Sequence, residues 1–150
     1  MGKLISIVVP VYNEADGISR FLDEELMPVL EGLNYEVEVV IVDDGSTDKT
    51  IEKIKACEIL DRHSVNVVAL TRNFGKEVAL TVGLEAAEGD AVIMVDADGQ
   101  HPVEEILNML SKWENGAMVV TAINSGNTSN GTFRNCNRLS KIYFNKLSAI

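Results

Sequence analysis

Short apolar, β-branched runs alternate along this chain with segments of helical spacing, and that alternation restricts the fold more than any other feature. Runs at 5–11, 37–42, 65–70 and 91–95 have strand length and β-branched character. A fifth strand is predicted over 118–123. Between them, apolar residues recur at helical intervals over 18–33, 51–60, 77–87 and 103–113. Strand-helix-strand alternation of this kind predicts right-handed βαβ units around a parallel sheet. Pro28 lies inside the first helical stretch and is expected to kink or end it. A last helix is predicted over 138–147, through Leu139, Ile142, Tyr143 and Leu147. At 150 residues the chain has the length of one domain.

The charge pattern excludes some functions. Net charge is −10, and every acidic residue lies at or before Glu114. The remaining segment carries Arg134, Arg138, Lys141 and Lys146 and no acid. An acidic bulk argues against nucleic acid as a partner, whereas the basic segment suits a phosphate or an anionic membrane surface. No stretch has the length and apolarity of a membrane span, and no secretory signal is present, so a cytoplasmic setting is expected. Cys57 and Cys136 stand apart without metal-ligand spacing. The sequons at Asn127 and Asn130 are read as chance matches in a polar loop.

In an open α/β sheet, ligands bind beyond the C-terminal strand ends, where the polar residues gather. The first strand ends in Pro10-Val11-Tyr12-Asn13-Glu14, an aromatic wall with polar groups suited to a base and ribose. The second ends in Asp43-Asp44-Gly45-Ser46-Thr47-Asp48. Two acids there exceed what a turn needs, and one suits a base N–H or ribose hydroxyls; Asp48 is expected to cap the following helix. The third ends in Arg72-Asn73-Phe74-Gly75-Lys76, two cations before a helix whose N-terminus favours anions. The fourth ends in Asp96-Ala97-Asp98-Gly99-Gln100-His101-Pro102. Two carboxylates one residue apart at a buried strand end require a compensating cation or proton. A hard divalent ion carrying phosphate oxygens is the natural one. Walker A spacing is absent and an EF-hand fails at His101, while the lack of G-x-G-x-x-G after the first strand disfavours a dehydrogenase and the lack of a Cys partner set for His101 disfavours zinc.

These four ordered segments resemble those of the family 2 glycosyltransferases, over nearly the whole chain. Arg72-Asn73-Phe74-Gly75-Lys76, followed by an Ala-Leu-Thr-Val-Gly-Leu helix, is most similar to the polyprenyl-phosphate branch. The resemblance implies a GT-A-type, Rossmann-like three-layer α/β/α fold with a mainly parallel sheet. It implies nucleoside contacts from Pro10, Tyr12 and Glu14, with Asp44 on the base. It implies Mg²⁺ or Mn²⁺ held by Asp96, Asp98 and Gln100 against the donor diphosphate, with the two aspartates catalytic. Asp43 and Lys76 are taken into the nucleotide site, and Arg134 and Arg138 are candidates for the acceptor phosphate.

The activity so implied is transfer of a hexose from a nucleotide-diphosphate sugar, UDP-glucose-like or GDP-mannose-like, to a polyprenyl phosphate. The setting would be the cytoplasmic face of a membrane, in cell-envelope polysaccharide synthesis. Two departures from the branch stand out. Ile123-Asn124-Ser125-Gly126 occupies the place of the usual basic residues after the fifth strand, and the chain stops near where the acceptor-side half would follow. The expectation is therefore a donor-binding part over 1–150, truncated at the C-terminus. The competing expectation is a catalytically silent nucleotide-binding or assembly module. A nucleotidyltransferase is disfavoured, because Tyr12-Asn13-Glu14 stands where a glycine-rich basic loop belongs.

Overall fold

In the computed structural model, residues 2–98, 102–118, 120–122 and 140–143 are described. Four parallel strands form the sheet's main part: β1 (Leu4–Val11), β2 (Glu36–Asp43), β3 (Ser64–Ala69) and β4 (Ala91–Met94). They run in the order β3-β2-β1-β4, so the connection reverses direction between β1 and β4. β5 (Val120–Ala122) and β6 (Ser140–Tyr143) extend the β4 side, with β6 antiparallel to both β4 and β5. The parallel α/β expectation holds, with an antiparallel edge added.

β6 corrects the helix expected over 138–147. Tyr143 and Ile142 pair with Val92 and Ile93, giving β4 a neighbour on its second side. Short runs with β-branched and aromatic residues fit either period, and the open flank of β4 decides in favour of the strand.

Strand alternation builds two cores. Ile5, Ile7, Val9 and Val11 of β1 turn to one face, where they join Val39, Ile41 and Ile93. Covering this face are a π-helical segment (Arg20–Leu26), α1 (Met27–Glu31), α2 (Thr50–Lys55), α3 (Ile59–Arg62) and α5 (Glu105–Glu114). Val8, Val40, Val42, Val92 and Met94 point the other way, onto α4 (Lys76–Ala86). Gly83 lets α4 approach closely: a Cβ there would stand 2.3 Å from Val8 Cγ1 and 3.2 Å from Val42 Cγ2. Gly83→Val is therefore expected to lift α4 from the sheet and cost about 1–3 kcal/mol, as overpacking does. Urea unfolding checks this, and an unchanged midpoint would count against the close approach.

Two helices depart from the sequence pattern. The stretch expected over 18–33 divides into the π-helical segment and α1, with Pro28 in the first turn of α1. Proline has no N–H for the carbonyl four residues back and its ring crowds that carbonyl, so a wider turn just upstream relieves the conflict. The stretch over 51–60 breaks into α2 and α3 around Cys57, which turns into the core. Asp23 of the π-helical segment supports the break by accepting the Ile59 N–H at 3.0 Å.

At the N-terminal end of the sheet, the buried Ser6 hydroxyl donates to Glu38 and accepts the Gly89 N–H at 2.8 Å. This network ties three strands together, at the end opposite the polar loops.

Candidate functional site

Beyond their last ladder pairs, the strands continue to hold one another. The Asp44 N–H donates to Val11 O at 2.8 Å, Leu70 N–H to Asp43 O at 2.8 Å, and Val95 N–H to Val8 O at 2.9 Å. All four strand-end loops therefore leave the sheet in fixed relative positions. Between them lies a cleft of about 240 Å³, lined by residues of every one of these loops. It opens where the connection reverses between β1 and β4, the position at which doubly wound sheets bind ligands.

The first wall is Pro10, Val11, Tyr12 and Glu14. Tyr12 is 43% exposed, an aromatic ring left in solvent at the rim. Asn13 adopts φ 52°, a left-handed conformation that asparagine tolerates better than most residues. Its side-chain oxygen accepts the Thr47 N–H at 2.8 Å, and its own N–H donates to Ser46 Oγ at 2.8 Å. The β1 and β2 loops are thereby locked together. Sequence reasoning gave Asn13 no such role, although its type at a strand end was the available signal.

Asp43 and Asp44 part company. Alternation puts Asp43 on the same face as Val39 and Ile41. Its carboxylate accepts the Ser46 N–H at 3.1 Å and also the Ser46 hydroxyl, closing the turn. Asp43 is not among the residues that line the cleft. Asp44 does line the cleft, yet it is only 4% exposed. One of its oxygens accepts the Phe74 N–H at 2.8 Å and the other the Gly75 N–H at 2.9 Å. Asp44 is thus a clamp on the 72–75 loop, fixing the start of α4. Asp44→Asn keeps one acceptor and turns an NH₂ toward an amide N–H, so it is expected to cost about 1.5–3 kcal/mol. Thermal unfolding beside amide exchange at Phe74 and Gly75 measures this; unchanged protection of both amides would refute the clamp.

The N-cap of α2 is Lys49 rather than Asp48, which stands one residue earlier and braces the first turn through Thr50. Asp48 accepts the Thr50 N–H at 2.9 Å and the Thr50 hydroxyl, and also takes the Ala15 N–H at 3.1 Å. The Thr50 hydrogen bonds, side chain first, hold its carboxyl below the usual carboxylate range.

The far wall comes from β4 and α4. Lys76, the first residue of α4, sends Nζ to Asp96 Oδ1 at 2.5 Å. Asp98 lies near Glu14: burial raises the Glu14 carboxyl, and the negative charges of Asp98 and then Asp48 raise it further. Glu14, Asp44, Asp96 and Asp98 therefore share the cleft with Lys76, the one cation among its described lining residues. The two amide hydrogen bonds compensate Asp44, and Lys76 compensates Asp96. Among the described lining residues the acids outnumber the cation, and their carboxylate oxygens are donors suited to a hard divalent ion. Among the described residues, no three His, Cys, Asp or Glu side chains are grouped as a complete ligand set. Two carboxylates leave room for phosphate oxygens and water, the coordination that Mg²⁺ favours. Gln100, Arg134 and Arg138 lie outside the described residues.

The excess charge also affects stability. Glu14 titrates higher folded than unfolded, so the folded protein holds more protons as pH rises from the ordinary value of 4.5. Stability consequently falls across that window. Glu14→Gln is expected to raise the urea midpoint at pH 7 and not at pH 4, because burial and then the Asp98 and Asp48 charges disfavour the ionised form; equal changes at both would dismiss the raised titration.

Residues 6–149 match the family described as glycosyl transferase family 2. The bactoprenol glucosyl transferase of Shigella phage SfV is 43% identical over 135 residues, which cover 87% of this chain and 42% of that protein. The undecaprenyl-phosphate 4-deoxy-4-formamido-L-arabinose transferase of Pseudomonas aeruginosa is 40% identical, over 80% of this chain and 35% of its own. Among solved structures, a Pyrobaculum calidifontis mannosyltransferase in complex with GDP-Man and Mn²⁺ aligns with TM-score 0.63 and 29% identity. That alignment covers 82% of this chain and 36% of the mannosyltransferase. Staphylococcus aureus TarS 1–349 with UDP-GlcNAc aligns with TM-score 0.63 and 26% identity, over 93% of this chain and 45% of its own. The chain spans about two fifths of the length of the curated relatives it matches.

Proposed function

This chain belongs to glycosyltransferase family 2, and from that premise we propose that it forms the donor-binding part of a hexosyltransferase acting on a lipid phosphate. The donor is a nucleotide-diphosphate sugar and the acceptor a polyprenyl phosphate, taken at the cytoplasmic face of a membrane. Among the described residues no helix is long and apolar enough to cross a membrane. The observation that carries the reading is the cleft at the β1–β4 reversal, where an exposed aromatic, a lysine and a carboxylate pair meet. The names of the bactoprenol and undecaprenyl-phosphate relatives support the acceptor class.

Each residue has a role in this reading. Pro10 and Tyr12 supply the apolar wall for the base, with Glu14 toward the ribose. Asp44 borders the base and holds the loop that carries Lys76. Lys76 meets the diphosphate from the α4 N-terminus, where the helix dipole favours an anion. Asp96 and Asp98 would hold Mg²⁺ or Mn²⁺. When bound, the ion offsets diphosphate charge and stabilises the departing nucleoside diphosphate. A phosphate acceptor is already anionic at neutral pH, so this chain need not contribute a strong base. Arg134 and Arg138 are proposed to meet the acceptor phosphate.

The test is transfer of labelled sugar from UDP-glucose and from GDP-mannose to undecaprenyl phosphate, alongside calorimetry of UDP and GDP with Mn²⁺. Nucleotide binding with transfer is the expected result for a chain carrying the acceptor side. Binding without transfer by residues 1–150 would identify a donor-binding part. Failure to bind either nucleotide would overturn the reading.

A further inference from the structure

The Lys76–Asp96 ion pair occupies a carboxylate that a divalent cation would need. Lys76 Nζ sits 2.5 Å from Asp96 Oδ1, with the lysine side chain 55% exposed and the aspartate side chain 15% exposed. The lysine is therefore free to move on its outer side, while the carboxylate is held at the cleft wall. The start of Lys76's chain is not free. Gly75, at φ +102°, opens α4, and its N–H is fixed by Asp44 together with that of Phe74. The ammonium thus pivots from a fixed base, reaching Asp96 or space within the same cleft.

We infer that Lys76 is a latch: without nucleotide it neutralises Asp96 and holds off the metal, and a nucleoside diphosphate draws it away. The inference rests on the proposed donor site and adds an order of loading to it. An ammonium and a divalent ion compete for one carboxylate oxygen, since both cannot approach it closely without mutual repulsion. A diphosphate changes the balance by offering Lys76 a second anionic partner and the cation extra oxygens. Metal and nucleotide then reinforce each other's binding, and by linkage each raises the other's affinity by the same factor. Lys76 is a positioning residue in this role, acting through Asp96.

Mn²⁺ titration followed by electron paramagnetic resonance tests the latch, on wild type, Lys76→Met and Asp98→Asn, each with and without saturating UDP or GDP. Wild type is expected to bind Mn²⁺ alone weakly and at least about fivefold more tightly with nucleotide, within the usual range of such coupling. Lys76→Met is expected to bind Mn²⁺ alone at least about fivefold more tightly than wild type and to lose most of the nucleotide effect. Lys76→Arg, which keeps the charge, is expected to retain the coupling. Equal Mn²⁺ affinity in wild type and Lys76→Met overturns the latch while leaving the donor site standing, provided Asp98→Asn abolishes that binding. Absence of Mn²⁺ binding to wild type even with both nucleotides overturns the latch and the donor site together.

Discussion

Asp98→Asn is expected to lower Mn²⁺-dependent UDP or GDP affinity by about a hundredfold or more, since loss of a mere supporting partner around a metal site already costs roughly 10–100-fold. The substitution preserves shape and removes one negative charge from a cleft whose described lining has more acids than cations. The remaining Asp96 carboxylate is already paired with Lys76, so the variant would have to hold the cation through a carboxylate that the lysine shares. The same change removes one of the charges that raise the Glu14 carboxyl, which then titrates nearer its ordinary value. Calorimetry with and without Mn²⁺ reads the first effect, and side-chain NMR titration of Glu14 reads the second. Metal-dependent affinity equal to wild type would sink the assignment of Asp98 to the cation. A Glu14 titration unmoved by the substitution would show that the two carboxylates do not face each other across the cleft.

Much of this arrangement was legible in the sequence because it follows from strand periodicity. A βαβ pattern puts the ends of parallel strands on one rim, so motifs distant along the chain were expected to converge. Tyr12, Glu14, Asp44, Lys76, Asp96 and Asp98 do line one cleft. What stayed illegible depends on side-chain direction and on competition for partners. Adjacent acids at a strand end look equivalent, yet the pleat sends Asp43 to a turn serine and Asp44 to two amides. Lysine before a helix reads as an anion site; its pairing with Asp96, twenty residues away, is a tertiary fact. The segment at 140–143 shows the limit of periodicity itself. Its few apolar residues suited a helix, and the unpaired side of β4 made them a strand. The split helices tell the same story, with a proline and an inward cysteine overriding otherwise continuous spacing.

Gly45→Ala is expected to produce the largest loss of stability at the site, about 2–5 kcal/mol, together with weakened nucleotide binding. Two independent costs add. Gly45 has φ +69°, and an L-residue in that left-handed region is disfavoured by roughly 1–2 kcal/mol. A Cβ there would also lie 2.3 Å from the Arg72 carbonyl carbon, 2.6 Å from Arg72 Cα and 2.7 Å from Asn73 N. These are backbone atoms, so no side chain can swing aside, and forced overpacking of this kind costs about 1–3 kcal/mol. The displaced segment is the one that Asp44, the preceding residue, holds by its two carboxylate oxygens. Pushing Arg72 and Asn73 outward therefore strains the clamp and moves the base of Lys76, which links a turn glycine to the side of the cleft proposed for the diphosphate. Gly116→Ala is the matched comparison: its φ is +92° and a Cβ there would meet nothing within 4 Å. Urea unfolding should give Gly116→Ala the conformational penalty alone, with nucleotide affinity unchanged. Gly45→Ala should exceed it in stability loss and also reduce UDP affinity in the presence of Mn²⁺. If the two variants lose equal stability and bind UDP alike, the close approach of Gly45 to the 72–73 backbone is not what sets the loop in place.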